Sequence, residues 1–460
     1  MVNTIIEYLN KRGFTTTPSE YYAYIQEWDD WYKGYFKPFH SYVQYNGTSY
    51  ISKKMYSLGM AKKICEDHAN LIMNEKVQIS TGNDVIDDVL KKNLDFNNFR
   101  VRANQLVELT FALGTGAFVE YKDSFGNSII DYIRAQMIYP LSWDNGDITE
   151  CAFGSVRNIN GKNYYYINIH TIDAKGNYII ENKLIDKDSG AEMIMDGVEP
   201  IVNTGSAIPR FQIVTPNVVN NIDYDVPMGI SIFANAIDQL KAVDVAYDSY
   251  VNEFILGKKR IIIPLSMTRI EADSAGIYKP VFDPNDVTFY AMNDESVDGI
   301  KEINMEIRAE PHEAGLQRFL ALLGDKCGLG ADHYKFELGS AVTATQVISE
   351  KSDMFQNLKK NELVFESAMT NMAKALADMD GIDSNKLEIK VDFDDSIITD
   401  RDSERSRILP LVSMDKYPLK EYLVNYENYT EDEAQNIVDE SKNTSEESDL
   451  MDNFSGDPNA

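Results

Sequence analysis

One segment of the sequence, residues 343–380, contains neither glycine nor proline, and this limits the possible folds more than any other feature. Glycine and proline are the residues that most disfavour the interior of a helix, so nothing in this segment opposes helix formation. Apolar side chains recur in it at intervals of three and four residues, which is the spacing of one helical face. The segment therefore predicts one very long helix, whose apolar residues are Val347, Met354, Phe355, Leu358, Phe365, Met369, Met372 and Leu376.

Two further predicted helices enclose a segment of a different kind. Residues 231–257 and 308–330 show the same apolar spacing of three and four residues. Residues 258–307 between them contain the strand-like runs 260–263 and 287–290, together with prolines that interrupt regular structure. The pattern predicts a pair of helices that brackets a small β-rich insert.

The remaining segments complete a fold of the α+β class. Residues 1–115 have mainly helical spacing, whereas residues 117–213 alternate apolar and polar side chains between glycine-containing turns. Such alternation is typical of an antiparallel β meander. Residues 381–440 are acidic and predict short amphipathic helices. Residues 441–460 combine repeated carboxylates with low hydrophobicity, so we expect them to be disordered.

The composition argues against several classes of protein. The chain has 44 Lys+Arg against 73 Asp+Glu and a net charge of −29, whereas proteins that grip DNA by neutralising phosphates carry an excess of basic residues. No basic and apolar leader opens the sequence, and no run approaches the roughly 20 apolar residues that span a bilayer. We therefore expect a protein that is neither secreted nor embedded in a membrane. Its cysteines are too few and too scattered for a disulfide framework, which fits a reducing cytoplasm: Cys65, Cys151 and Cys327.

Motifs of known catalytic or metal sites are missing from the sequence. There is no G-x-x-x-x-G-K-[ST] phosphate-binding loop, no H-E-x-x-H and no G-x-S-x-G. We expect no catalytic residue, no cofactor and no metal. One acidic cluster, formed by Asp392, Asp394 and Asp395, leaves an alternative open, because paired carboxylates can hold Mg²⁺ in a phosphodiesterase or nuclease. We favour a strand that runs into a solvated acidic loop, since no Lys or His adjoins the cluster.

Four stretches of the sequence resemble the SPP1-like portal proteins of tailed bacteriophages. Residues 343–352 read T-A-T-Q-V-I-S-E-K-S, close to the family's T-A-T-E-V-I-S-x-x-S, with Gln346 where glutamate is usual. The other stretches are residues 59–65 with 74–76, residues 227–233 and residues 395–400. The order of predicted elements along roughly residues 57–440 is also similar to that of the family.

This resemblance implies a ring, usually of twelve subunits, at one vertex of the phage head. Double-stranded DNA enters through such a ring during packaging and leaves through it during ejection. A mostly acidic channel wall would repel DNA over a Debye length of ~8 Å, so that DNA slides rather than sticks. Applied to this sequence, the family's parts are a wing (1–230 and 343–380), a stem (231–257 and 308–330), a clip (258–307), a tunnel loop (331–342) and a crown (381–440).

The resemblance also implies partners and sites. A separate terminase ATPase would dock on the clip, and a head-to-tail adaptor would bind there afterwards. The major capsid and scaffolding proteins would be further partners. The protein would lie at the portal vertex of the virion and in the host cytoplasm during assembly. Candidate tunnel-loop residues that meet DNA are His333, Lys335, Gly339 and Ser340. Candidate docking residues of the clip are Lys258, Lys259 and Arg260, although such a basic run more often marks a solvated helix end. A minor head protein without a channel is a further alternative.

Overall fold

The computed structural model describes residues 2–45, 48–74, 77–194, 197–264, 266, 269–272, 276, 278–281, 289–293, 299–336, 344–393, 401–414, 416–427, 429–430 and 433–439. The chain forms two compact units. The first contains residues 1–338 and 356–393, and the second contains residues 339–355 and 394–460. Helices and sheets are both present, as the predicted α+β class requires. None of the described helices is both long and apolar enough to cross a bilayer.

The N-terminal part of the first unit is mostly helical, as predicted. Its helices are α1 (Val2–Lys11), α2 (Tyr21–Tyr32), α3 (Lys37–His40), α4 (Met60–Ile72), α5 (Asp84–Phe96) and α6 (Phe99–Leu113). The prediction was wrong for residues 41–45 and 50–54, which form the paired antiparallel strands β1 (Ser41–Tyr45) and β2 (Tyr50–Lys54) of a hairpin. Aromatic and β-branched residues occur in both strands and favour extended backbone, which explains the difference; they are Tyr42, Val43 and Tyr45 in β1 and Tyr50 and Ile51 in β2. A short strand β3 (Gln78–Ser80) follows α4.

The described strands within residues 116–214 all pair antiparallel, as the period of two predicted. The strands are β4 (Gly116–Lys122), β5 (Ser128–Arg134), β6 (Ile138–Asp144), β7 (Asp147–Ile159), β8 (Lys162–Ile172), β9 (Tyr178–Asp186), β10 (Glu192–Met193), β11 (Ile201–Asn203) and β12 (Phe211–Val214). They divide into two sheets rather than one meander. Six strands run in the order β10-β9-β8-β7-β6 with β11 also on β9, and three run β12-β4-β5. A core shared by the two sheets contains Ala117, Val119, Ile138, Cys151, Phe153, Tyr178 and Phe211.

Helix α7 (Ile237–Leu256) begins six residues later than predicted. Residues 231–236 are instead held against the end of α6, where the Ile232 amide donates to the Phe111 carbonyl at 2.9 Å and the Ser231 hydroxyl donates to the same carbonyl at 3.0 Å. Two glycines permit this close approach, because a Cβ on Gly114 would lie 2.3 Å from the carbonyl oxygen of Gly229. The sequence pattern could not show that the Phe111 carbonyl of α6 accepts these hydrogen bonds from residues 231 and 232.

The insert after α7 is β-rich, as predicted. Its described strands are β13 (Arg260–Pro264), β14 (Arg269–Ala272), β15 (Tyr278–Val281), β16 (Phe289–Met292) and β17 (Lys301–Ile303). Strand β13 lies between β16, to which it is parallel, and β17, to which it is antiparallel. After β17 the chain continues as helix α8 (Ala309–Lys326). This helix ends four residues before the predicted boundary because Gly328 and Gly330 adopt positive φ values.

The glycine- and proline-free segment forms helix α9 (Ala344–Met379), within one residue of the predicted limits. Strand β18 (Lys390–Asp392) then pairs with β3. Helices α10 (Arg401–Ser413) and α11 (Leu419–Glu427) agree with the predicted short helices. The predicted disordered tail, residues 441–460, lies outside the described residues.

Candidate functional site

The candidate functional site is the pair α7 and α8 together with the segments that join its two ends. The helices pack side by side in opposite directions, with Leu240 and Val243 of α7 and Leu316, Leu320 and Leu323 of α8 buried. The β-rich insert leaves from one end of this pair, and residues 331–336 leave from the other. Each end is fixed by a carboxylate.

At the end next to the insert, Glu253 of α7 joins the two helices. The Arg308 guanidinium donates to both carboxylate oxygens of Glu253, at 3.0 and 2.9 Å, and the Arg308 amide donates at 3.2 Å. His312 lies 3.6 Å from the same carboxylate and stacks on the Tyr250 ring. The hydrogen bonds from Arg308 lower the pKa of Glu253 to about 2. We call this group the stem clasp; it brings the two ends of the insert together.

The stem clasp predicts a specific dependence of stability on pH. The pKa of Glu253 falls from an ordinary value of 4.5 to about 2, so its carboxylate stabilises the folded state above pH about 4.5, and this contribution is lost as the pH falls towards 2. We expect wild type to melt at a higher temperature than Glu253→Gln at pH 6 and the difference to shrink steadily as the pH falls from about 4.5 through 2. Thermal denaturation of both proteins across this range checks it. A difference that does not depend on pH would contradict the assignment.

The middle of α7 is anchored by two acidic side chains that are themselves buried. One carboxylate oxygen of Asp244 accepts from the Leu58 amide at 2.8 Å, and the other lies 2.9 Å from His40 Nε2. One turn later, Asp248 accepts from the Tyr56 amide at 2.9 Å. Asp244 is 4% exposed and Asp248 is 9% exposed. These bonds tie α7 to both ends of the β1–β2 hairpin.

The other end of α8 is fixed by α4. The pKa of Asp67 would rise through burial, but hydrogen bonds from His333, Lys63 and Tyr334 outweigh this effect and lower it below the ordinary value. His333 Nε2 lies 3.2 Å from the Asp67 carboxylate, and the Tyr334 hydroxyl donates to it at 3.0 Å. The start of the segment after α8 is therefore held against the body of the protein.

Two buried groups next to this contact are neutral. His68 Nε2 lies 3.0 Å from the Cys327 carbonyl, and burial lowers the pKa of His68 to about 4. Burial also raises the pKa of the Cys327 thiol to about 12. A neutral imidazole and a neutral thiol suit a packed joint between α4 and α8 rather than a reactive centre.

Comparison with known protein families gives a match over nearly the whole chain. A family described as "Phage portal protein, SPP1 Gp6-like" matches residues 16–447 of 460. The chain belongs to this family of phage portal proteins. Among solved structures, it is similar to a chain described as "Neck of empty GTA particle computed with C6 symmetry" at 13% identity, with 80% of this chain and 89% of that chain covered and a TM-score of 0.38. No curated protein matches the chain.

The residues predicted to meet DNA in this portal protein are only partly described. Lys335 is exposed and forms an ion pair with Asp332 three positions earlier. His333 contacts Asp67, as described above, and its side chain is 27% exposed. Gly339 and Ser340 lie outside the described residues. The tunnel-loop role of all four residues stays a prediction.

The basic run predicted to dock partners lies directly after the last turn of α7. Lys258 and Lys259 are exposed; Lys259 pairs with Glu302 of β17 at 2.5 Å, and Arg260 donates weakly to the Leu256 carbonyl at 3.5 Å. This position suits interaction with the negative end of the helix dipole. Docking by these residues stays a prediction.

Of the acidic cluster that suggested a nuclease, only Asp392 is among the described residues. It is the last residue of strand β18 and lies opposite Gln78 in the antiparallel register with β3. Asp394 and Asp395 lie outside the described residues. Within the described parts of the chain, no group of three or more His, Cys, Asp or Glu residues is arranged to hold a metal ion. Portal proteins are structural components of phage particles and are not known as enzymes.

The sequence analysis missed the carboxylates that organise this site. Asp67, Asp244, Asp248 and Glu253 stand among many acidic residues and form no recognisable motif. One weak signal was available: Asp244 and Asp248 are spaced by four and interrupt the apolar stripe of α7 on its buried side. Buried carboxylates need hydrogen-bonding partners, so this spacing favours a second segment packed on the helix.

Proposed function

We propose that this portal protein assembles into a closed ring, of about twelve subunits in keeping with its family, at one vertex of the phage head. Double-stranded DNA passes through the ring during packaging and ejection. The observation that carries the proposal is the family match over residues 16–447. The described fold supports it, because a helix pair brackets a β-rich insert as expected for a stem and a clip.

The proposed division of the chain follows the family. The wing contains residues 1–230 and 343–380, the stem 231–257 and 308–330, the clip 258–307, the tunnel loop 331–342 and the crown 381–440. The terminase large subunit docks on the clip during packaging, and a head-to-tail adaptor docks there afterwards. The major capsid and scaffolding proteins are further partners during assembly, and the ring stays at the portal vertex of the virion. The protein itself carries out no hydrolysis, and its assembly takes place in the host cytoplasm.

Electron microscopy of the purified protein tests the ring. We expect radially symmetric particles with a central hole, whose class averages give the subunit number. A minor head protein without a channel, or a nuclease based on Asp392, Asp394 and Asp395, has no reason to form them. Only monomers or irregular aggregates at micromolar concentration, with or without scaffolding protein, would contradict the proposal.

The tunnel-loop proposal predicts an effect of Lys335→Glu on packaged DNA. Lys335 is exposed and its described ionic contact is with neighbouring Asp332, so the substitution leaves the core unchanged. A phosphate contact would be replaced by repulsion, and we expect rings to form normally but particles to hold shorter DNA. The length of DNA extracted from particles measures this. Lys175→Glu, an exposed lysine in the β8–β9 turn, is the matched control. Equal DNA lengths in the two variants would show that Lys335 does not meet DNA.

A further inference from the structure

The chain turns back on itself after helix α8, and we call the returning segment, residues 329–336, the strap. Gly328 and Gly330 make this reversal possible, with φ values of 78° and 88° that favour glycine. The strap then lies directly against α8, because a Cβ on Gly324 would lie 2.6 Å from the Gly330 carbonyl oxygen and 3.5 Å from the Tyr334 ring. The residues after the helix therefore run back along it instead of leaving from its end.

One side chain of α8, Gln317, binds the strap on both sides of Lys335. The Nε2 atom of Gln317 donates to the Tyr334 carbonyl at 3.0 Å, and its Oε1 atom accepts from the Phe336 amide at 3.0 Å. The side chain thus bonds to the two peptide groups that flank Lys335, in the way that a neighbouring strand would. Gln317 precedes Gly324 by seven residues, which is about 10 Å along the helix axis, so the strap covers about two turns of α8.

A second attachment joins the strap to α4. The Tyr334 hydroxyl donates to the Asp67 carboxylate at 3.0 Å, and His333 Nε2 lies 3.2 Å from the same group. Burial and then the nearby Asp67 charge raise the pKa of the Tyr334 hydroxyl, which therefore remains a hydrogen-bond donor. These contacts hold the two residues that precede Lys335 in the strap.

The side chain of Lys335 remains exposed to solvent, although the backbone on both sides of it is held. It is 51% exposed, and its described ion pair is with Asp332, inside the strap. A lysine on a loose loop would lose both backbone and side-chain freedom on contacting a phosphate. In the strap the backbone is already fixed, so less freedom is lost and the contact with an anion is stronger.

We propose that Gln317 and Asp67 are positioning residues for the contact between Lys335 and DNA, a step that rests on the proposed function. They hold the strap against α8 and α4 and act on DNA only through it. Without them Lys335 keeps its charge but is no longer held in place. The phosphate contact then becomes weaker, and particles hold less DNA.

Hydrogen–deuterium exchange of the purified full chain tests whether Gln317 holds the strap. Gln317→Met keeps an unbranched side chain of similar length and removes both hydrogen bonds. We expect the Phe336 amide to exchange at least about fivefold faster, because it loses its acceptor, while α7 and α8 exchange as in wild type. Gln26→Met, which removes an exposed side-chain bond to Asp30 on α2, is the matched control and should leave the strap unchanged. A strap that exchanges equally in the two variants would overturn the role of Gln317.

Tyr334→Phe tests the second attachment in the same way. It keeps the ring beside Gly324 and removes the hydroxyl that donates to Asp67. We expect the strap to exchange faster than in wild type and the helices α4 and α8 to exchange as before. Unchanged exchange of the strap would show that Asp67 does not position it.

The length of packaged DNA shows whether the strap acts through Lys335. We expect rings of Gln317→Met to form normally and its particles to hold shorter DNA than those of Gln26→Met. In Gln317→Met/Lys335→Glu, we expect DNA no shorter than in Lys335→Glu alone, because both changes weaken one contact. Two losses that add would show that Gln317 supports the protein in general and does not position Lys335.

The same measurements separate this proposal from the proposed function. If Lys335→Glu shortens the DNA but Gln317→Met only loosens the strap, Lys335 meets DNA and the positioning role is wrong. If Lys335→Glu and its control Lys175→Glu give equal lengths, the tunnel-loop contact fails and the positioning role fails with it.

Discussion

Asp244→Ala is expected to lower the free energy of unfolding by about 3 kcal/mol. The Asp244 carboxylate is almost fully buried and contacts the Leu58 amide, the Ser57 hydroxyl and His40 Nε2 at 2.8, 3.0 and 2.9 Å. Removing it leaves buried donors without an acceptor, and each such group costs about 1–3 kcal/mol. The anchored segment 55–58 would also loosen from α7.

Urea denaturation of Asp244→Ala measures this loss, and Asp238→Ala is the matched control. Asp238 lies on the same helix and also forms an ion pair, but its side chain is 87% exposed and its partner is Lys241 three residues away. Exposed pairs of this kind contribute between 0 and about 1 kcal/mol. Similar losses in the two variants would show that the Asp244 contacts do not hold α7 in place.

Removal of residues 258–307, the proposed clip, is expected to abolish binding of the terminase large subunit. The stem clasp makes this deletion feasible, because the bonds between Arg308 and Glu253 keep the two ends of the insert close together. A short glycine-serine linker from Gly257 to Arg308 can then replace the clip while α7 and α8 remain packed. Co-sedimentation with the terminase large subunit measures binding, and circular dichroism checks that the helices persist.

A control variant separates loss of the clip from loss of its charge. Lys258→Ala/Lys259→Ala/Arg260→Ala keeps the strands and removes the basic run after α7. If terminase binds through these residues, the triple variant loses binding as the deletion does. If the three basic residues only offset the partial negative charge at the C-terminal end of α7, terminase binding persists in the triple variant and its melting temperature falls slightly. Terminase that still binds the protein without residues 258–307 would show that docking occurs elsewhere.

Local periodicity accounts for most of the elements that the sequence predicted. Helix α9 was found within one residue because its segment lacks glycine and proline, and strands β4 to β9 were recognised from alternation and turn residues. The β-rich insert between α7 and α8 was predicted from the same kind of local signal. The β1–β2 hairpin was missed because alternation over five residues in each strand is a weak signal within a helical region.

Family membership was also within reach of the sequence. The run at residues 343–352 and the other resembling stretches are short, but they occur in the family's order, and the family match covers residues 16–447. Such a likeness indicates which protein class the chain belongs to. It does not indicate which side chains of this chain make its internal contacts.

The sequence by itself determined the α+β class, the long helices, the antiparallel strands and the portal family, because these depend on spacing between near neighbours and on short motifs. Only the tertiary structure decided where α7 begins and which carboxylates anchor it. Those features join residues far apart in the chain, such as His40 with Asp244 and Asp67 with His333. In an acidic chain, the neighbouring sequence does not show which carboxylates will be buried, because their hydrogen-bonding partners come close only when the helices pack.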